Sequence, residues 1–141
     1  DRIASSDRIF ISTLGVNEDF VTTMEVKCQA NNVPIDHLIV VSEKNFGECN
    51  GQYYVKRGRP DYFEQRTQFS QKRVKLSKHE YLKIRYGERY LDLIGLVMAN
   101  DGSMPVFTPD HHYISQDCEH FSMGGAKWFA TLIEWKKYLD K

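Results

Sequence analysis

The sequence has no run of about 18 apolar residues, so nothing in it reads as a bilayer-spanning helix. It has only three cysteines, Cys28, Cys49 and Cys118, scattered and without a Cys-x-x-Cys pair. That excludes a disulfide scaffold and a zinc site of CxxC spacing. An odd count leaves at least one thiol outside any disulfide and favours a reducing compartment; one disulfide beside one buried thiol is the other arrangement. There is no internal repeat and no low-complexity tract. The opening Asp1-Arg2-Ile3 carries neither a methionine nor a signal peptide, as expected of a fragment or processed product. What is present, 41% hydrophobic and 27% charged residues over 141 positions, suffices for one globular domain with a modest core.

Net charge is zero but unevenly spread. Residues 1–43 hold 3 basic and 7 acidic side chains, 44–90 hold 12 and 5, and 91–141 hold 4 and 7. A basic middle segment therefore sits in an acidic frame.

Residues 8–14 (Arg8-Ile9-Phe10-Ile11-Ser12-Thr13-Leu14) are β-branched and aromatic and read as a buried strand. From Asn17 to about Asn31 the period turns helical, with Asn17 as N-cap, Glu18 and Asp19 in the first turn, and Val21, Met24 and Cys28 on one face. Residues 37–42 form an almost unbroken apolar run, as a parallel strand buried on both faces would. Strand, helix, strand makes a βαβ unit. Residues 44–88 read as a basic, aromatic-rich insertion, with a short helix from Ser77 to about Arg85 capped by Ser77. Tyr90–Ile94 reads as a strand and 100–105 as an irregular loop. Ser122 to about Leu139 reads as one amphipathic helix with Trp128, Leu132, Trp135 and Leu139 on a stripe. The pattern predicts an α/β three-layer sandwich with a parallel central sheet, flavodoxin-like, in a single domain over 1–141 that is incomplete at its N-terminal side.

Asp117 and His120 are three apart in a loop that runs into the last helix. A carboxylate there can fix the tautomer of the imidazole and steady its positive charge, which a histidine base requires. The plainer reading is a surface Asp-x-x-His with no role.

The surrounding residues, Asp117-Cys118-Glu119-His120-Phe121-Ser122 and then Gly124-Gly125-Ala126, resemble the last block of the SGNH/GDSL hydrolase family. Tyr90–Ala126, with Leu91-Asp92-Leu93 and Pro105-Val106-Phe107-Thr108-Pro109-Asp110, is similar to the end of the SGNH domains of bacterial polysaccharide O-acetyltransferases. Gly15-Val16-Asn17-Glu18 after the first strand is similar to the family's G-x-N-D block, with Glu18 where Asp is usual. The resemblance implies His120 as general base, Asp117 as its partner, and Asn17 with Gly15 at the oxyanion. An Asn that caps its helix through its oxygen keeps its NH2 for that purpose. No Gly-Asp-Ser follows a strand anywhere in the sequence, and Ser5 and Ser6 precede the first strand. The resemblance therefore implies a serine outside this chain, in a missing N-terminal part of the same domain. It implies a serine esterase or O-acetyltransferase acting on a carbohydrate, with no cofactor beyond an acyl donor such as acetyl-CoA. The 141 residues alone are then expected to be inactive, and the compartment to be a bacterial cytoplasm or cell envelope. The alternative is a non-catalytic binding domain of the same fold that recognises an anionic glycan or other polyanion.

The basic residues from Lys56 to Arg89 suit an anionic carbohydrate or a CoA phosphate, or nucleic acid, or else a solvated segment whose stems pack over the core. No nucleic-acid partner is expected. Asp110-His111-His112 is not expected to hold a metal, because adjacent side chains point apart and no third ligand stands at helical spacing. His37 is expected to be a hydrogen-bonded residue at a strand edge, and Cys118 is not expected to act as a nucleophile.

Overall fold

A computed structural model describes residues 2–12, 15–48, 51–54 and 59–140. The elements are β1 (Ile9–Ile11), α1 (Glu18–Ala30), β2 (Leu38–Val41), β3 (Arg66–Gln68), α2 (Leu76–Tyr86), β4 (Tyr90–Leu91), β5 (Ser103–Pro105), α3 (Met123–Leu132) and α4 (Trp135–Leu139), with short 3-10 turns between some of them. The protein is mixed α/β, with a three-stranded parallel sheet ordered β1-β2-β4 and a two-stranded antiparallel sheet of β3 and β5. The chain divides into two compact units. The first is Asp1–Glu43, Leu76–Asp92 and Glu134–Lys141; the second is Lys44–Lys75 and Leu93–Ile133.

In the first unit β1 and β2 run parallel, Ile9 against Leu38 to Ile11 against Val40, and α1 connects them. The helix starts where expected: Asn17 Oδ1 accepts the Phe20 N–H at 3.1 Å, and Glu18 and Asp19 stand at the positive end of its dipole. Val21 and Cys28 are fully buried and Met24 packs beside them. The helix ends at Asn31, and Asn32 turns the chain at φ 55°. All four residues of β2 are buried, as a strand covered on both faces must be. Leu82 and Tyr86 of α2 close the core, and Arg8 Nε holds α4 by donating to the Tyr138 carbonyl at 2.6 Å.

Four sequence expectations shift here. The first strand is Ile9–Ile11, shorter than 8–14, with Thr13 and Leu14 outside the described residues. β4 ends at Leu91, because 93–97 turn away rather than continue the ladder. Helix α2 begins at Leu76, which places Ser77 inside the first turn rather than at the cap. The closing helix is broken: Ile133 is extended (φ −77°, ψ 127°), so α3 and α4 are separate and belong to different units. The stripe from Trp128 to Leu139 assumed unbroken helical phase. Phe129 and Tyr138 are buried instead, while Trp135 and Leu139 are exposed.

In the second unit, Ser103–Pro105 is a strand rather than irregular loop, paired antiparallel with Arg66–Gln68. Its core mixes aromatic and aliphatic side chains. Tyr62, Val106 and Phe107 are buried with Tyr54, Phe63 and Tyr113 around them, and Phe46, Phe121 and Phe129 form a second group with centroids 4.7–5.8 Å apart. Buried Asn45 clamps Ser70, donating to its carbonyl at 2.9 Å and accepting its N–H at 3.1 Å. Gly47 (φ +100°) lies where a Cβ would fall 2.1 Å from Thr67 Oγ1, so no other residue fits.

Candidate active site

The chain reaches the site through two isolated bridges, Phe107 with Tyr113 and Ser115 with Phe121. The second pinches 116–120 into a tight excursion. Cys118 takes the left-handed conformation (φ 69°) inside it, buried, with its carbonyl accepting the Phe46 N–H at 3.0 Å. Arg73 holds the outer side through an ion pair with Glu119. Asp117 is thereby oriented from several sides. Its Oδ1 accepts the His120 N–H at 2.8 Å, the Glu119 N–H at 2.9 Å and the Ser115 hydroxyl at 3.3 Å. Its Oδ2 stands 2.7 Å from His120 Nδ1.

The backbone N–H of His120, then that of Glu119, then the imidazole hold the Asp117 carboxyl well below the usual carboxylate range. An ionised Asp117 accepts, so in the neutral imidazole of His120 Nδ1 carries the proton and Nε2 presents a lone pair. Both side chains are more than half exposed, 60% for His120 and 56% for Asp117. Gln116, Phe121, Ser122 and Met123 line a shallow depression with them, of about 340 Å³. Neither nearby serine is placed as a nucleophile. Ser115 is buried and donates to Asp117, and Ser122 caps α3, accepting the Gly125 N–H at 2.9 Å while donating to the Tyr113 carbonyl.

Asn17 and Gly15 belong to the first unit, Asp117 and His120 to the second. Asn17 spends its oxygen on the α1 cap, and its NH2 makes no hydrogen bond among the described residues. Behind it stands Glu43, which sequence reasoning passed over. This buried carboxylate accepts the Val16 N–H at 2.9 Å and pairs with Lys78 Nζ at 2.9 Å. A Cβ on Gly15 would come 3.2 Å from its Oε1. The signal was a charged residue two positions past the fully buried strand, where an acid survives only if it is paired.

No family model matches the chain, and no curated protein and no solved structure is similar to it.

The basic segment finds its partners largely within the chain. Lys78, Lys83, Arg85 and Arg89 pair with Glu43, Asp92, Glu18 and Glu25 in the first unit, and Arg59 with Asp61 in the second. Lys56 and Arg57 lie outside the described residues, as does Cys49. Cys28 and Cys118 are buried and in no disulfide. Among the described residues no group of three or more His, Cys, Asp or Glu could hold a metal ion. His111 stacks on Phe63 at 4.0 Å, whereas His112 packs over Gly124. His37 differs from its reading: it closes a 3-10 turn ahead of β2, and its buried Nδ1 has no hydrogen-bond partner.

The two glycines that open α3 have packing reasons. A Cβ at Gly124 would meet His112 Cβ at 2.5 Å, and one at Gly125 would meet the Ile114 carbonyl oxygen at 2.2 Å.

Proposed function

We propose that the chain supplies the histidine-aspartate part of a Ser-His-Asp esterase or O-acyltransferase of SGNH/GDSL type, acting on an acylated carbohydrate. The observation that carries this is the 2.7 Å contact of His120 Nδ1 with an Asp117 carboxylate already fixed by two backbone N–H groups. A carboxylate so held keeps the imidazole in one tautomer and steadies it when Nε2 takes a proton. The parallel βαβ of the first unit supports the three-layer, flavodoxin-like reading. So does β1, which has β2 as its only strand neighbour among the described residues and so offers an edge to another strand.

In this mechanism a serine from outside these residues attacks the ester carbonyl. His120 Nε2 takes the serine proton and returns it to the leaving alcohol, giving an acyl-serine. Water then releases the acid, or a sugar hydroxyl takes the acyl group, with His120 again as base. An acyl donor such as acetyl-CoA would feed the transferase form. On the resemblance, Asn17 donates to the oxyanion.

The test is turnover of p-nitrophenyl acetate by the full-length protein. His120→Ala is expected to lower kcat about 10⁴-fold or more. Asn17→Asp keeps the helix cap and removes the donors, so kcat should fall about 10²-fold at unchanged stability. The 141 residues alone should show no turnover. Hydrolysis by them that survives His120→Ala, or a full-length protein indifferent to that change, overturns the reading. The exposure of the pair favours the second reading, a non-catalytic binding domain, and a full-length protein without turnover would support it.

A further inference from the structure

We propose that the surface of the second unit along α3 is a binding groove for a neutral oligosaccharide, with Trp128 as the platform for one pyranose ring. Two further depressions, of about 450 and 410 Å³, flank this indole, and Trp128 lines both. Met123 lines the first of them and also the depression at His120, so the three form one path. The path runs from the Asp117–His120 pair, past Met123 and Trp128, to Phe63 and His111.

The chemistry of its walls selects the ligand. The Trp128 ring is held edge-on against buried Phe129 at 5.4 Å and 87°, so its orientation is set before anything binds. The Phe63–His111 stack, at 4.0 Å and 8°, sets a second pair of flat rings in the wall of the other depression. Around these faces, Asp110, His112 and Lys127 make no side-chain hydrogen bond or ion pair among the described residues, unlike Arg59 and Arg73 of the same unit. Gly124 is what lets His112 lie over α3.

Flat apolar faces ringed by donors and acceptors of both signs match a pyranose, which has apolar faces and an edge of hydroxyls. A carboxylate such as Asp110 accepts from two hydroxyls at once, and Asp110 in one depression and Glu64 in the other oppose a polyanion. A proline-rich peptide would fit the aromatics but leave those charged groups covered and unpaired. The depressions are open, so a sugar keeps its outer hydroxyls in water.

The test is calorimetric titration of the full-length protein with cellohexaose, maltohexaose and N-acetylchitohexaose, with hexagalacturonate and decaproline alongside. At least one neutral hexasaccharide should bind saturably. Asp110→Ala, an exposed change that spares the core, and Trp128→Phe should each weaken it about tenfold. No neutral hexasaccharide binding, affinity unchanged in both variants, or saturation by hexagalacturonate or decaproline instead overturns the proposal. The groove rests on the catalytic reading only for the end that meets His120. A protein without esterase activity that still binds a hexasaccharide therefore defeats that reading alone, and an active esterase that binds none defeats the groove alone.

Discussion

In the first unit the buried side chains are chiefly aliphatic and sit on one helix-crossed parallel sheet: Val21, Leu38, Val40 and Leu82 are all fully buried. In the second, Phe46, Phe69, Phe107 and Phe129 are buried beside Ile94, Met104 and Ile114, the sheet among the described residues has two three-residue strands, and a buried polar clamp joins Asn45 to Ser70. Hydrophobic burial is non-directional and tolerates small shifts, whereas a buried hydrogen-bonded clamp either has its partners or leaves them unsatisfied. The second unit carries the aspartate–histidine turn, and a turn needs direction more than area.

The sharpest way to break this comparison is to remove one large group from each kind of core. Leu38→Ala empties a fully buried site at the centre of the parallel sheet. It should destabilise the first unit by about 3 kcal/mol, read as lost amide protection across β1, β2 and α1. Asn45→Ala removes far less apolar volume but orphans the Ser70 N–H, while the Ser70 carbonyl keeps the Arg73 and Val74 N–H groups. It should destabilise the second unit by about 2 kcal/mol, while Asn45→Asp, which keeps the acceptor, should restore part of that. If Asn45→Ala is neutral by denaturant titration, the second unit is held by burial like the first.

The smallest effect concerns pH. The Asp117 carboxyl is depressed in the folded chain, so its stabilising bonds are complete above the ordinary carboxylate range, about pH 4, and are lost only as pH falls through the lower folded value. The amide resonance of His120 should therefore titrate with a midpoint clearly below 3.9. A midpoint near 4 would mean that the turn does not hold in solution. Both groups are largely exposed, so global stability should scarcely change with this proton. In the same unit, burial first and then the bond with Tyr62 push the Tyr113 phenol up to about 12.

What could be read in advance follows the same division. The cap at Asn17, the face of Val21 and Cys28, and the run Leu38–Val41 were legible because each depends on residues adjacent in sequence or one helical turn apart. The Asp117–His120 pair was legible for the same reason, at a spacing of three. The strand at Ser103–Pro105 was not, since its partner lies 37 residues earlier and neither strand carries an apolar alternation. The break at Ile133 was hidden because apolar spacing continues through it, although the two halves join different units. The basic segment was legible as charge but not as pairing.

A βαβ beginning, a capped first helix and a carboxylate placed to hold an imidazole are written in the residue order, because each follows from short-range backbone geometry. That Glu43 anchors Val16, that Arg73 steadies Glu119, and that depressions flanking Trp128 lead to His120 emerge with the folded chain. Those depend on which distant groups share a neighbourhood once apolar surface has left water, and no local pattern encodes that.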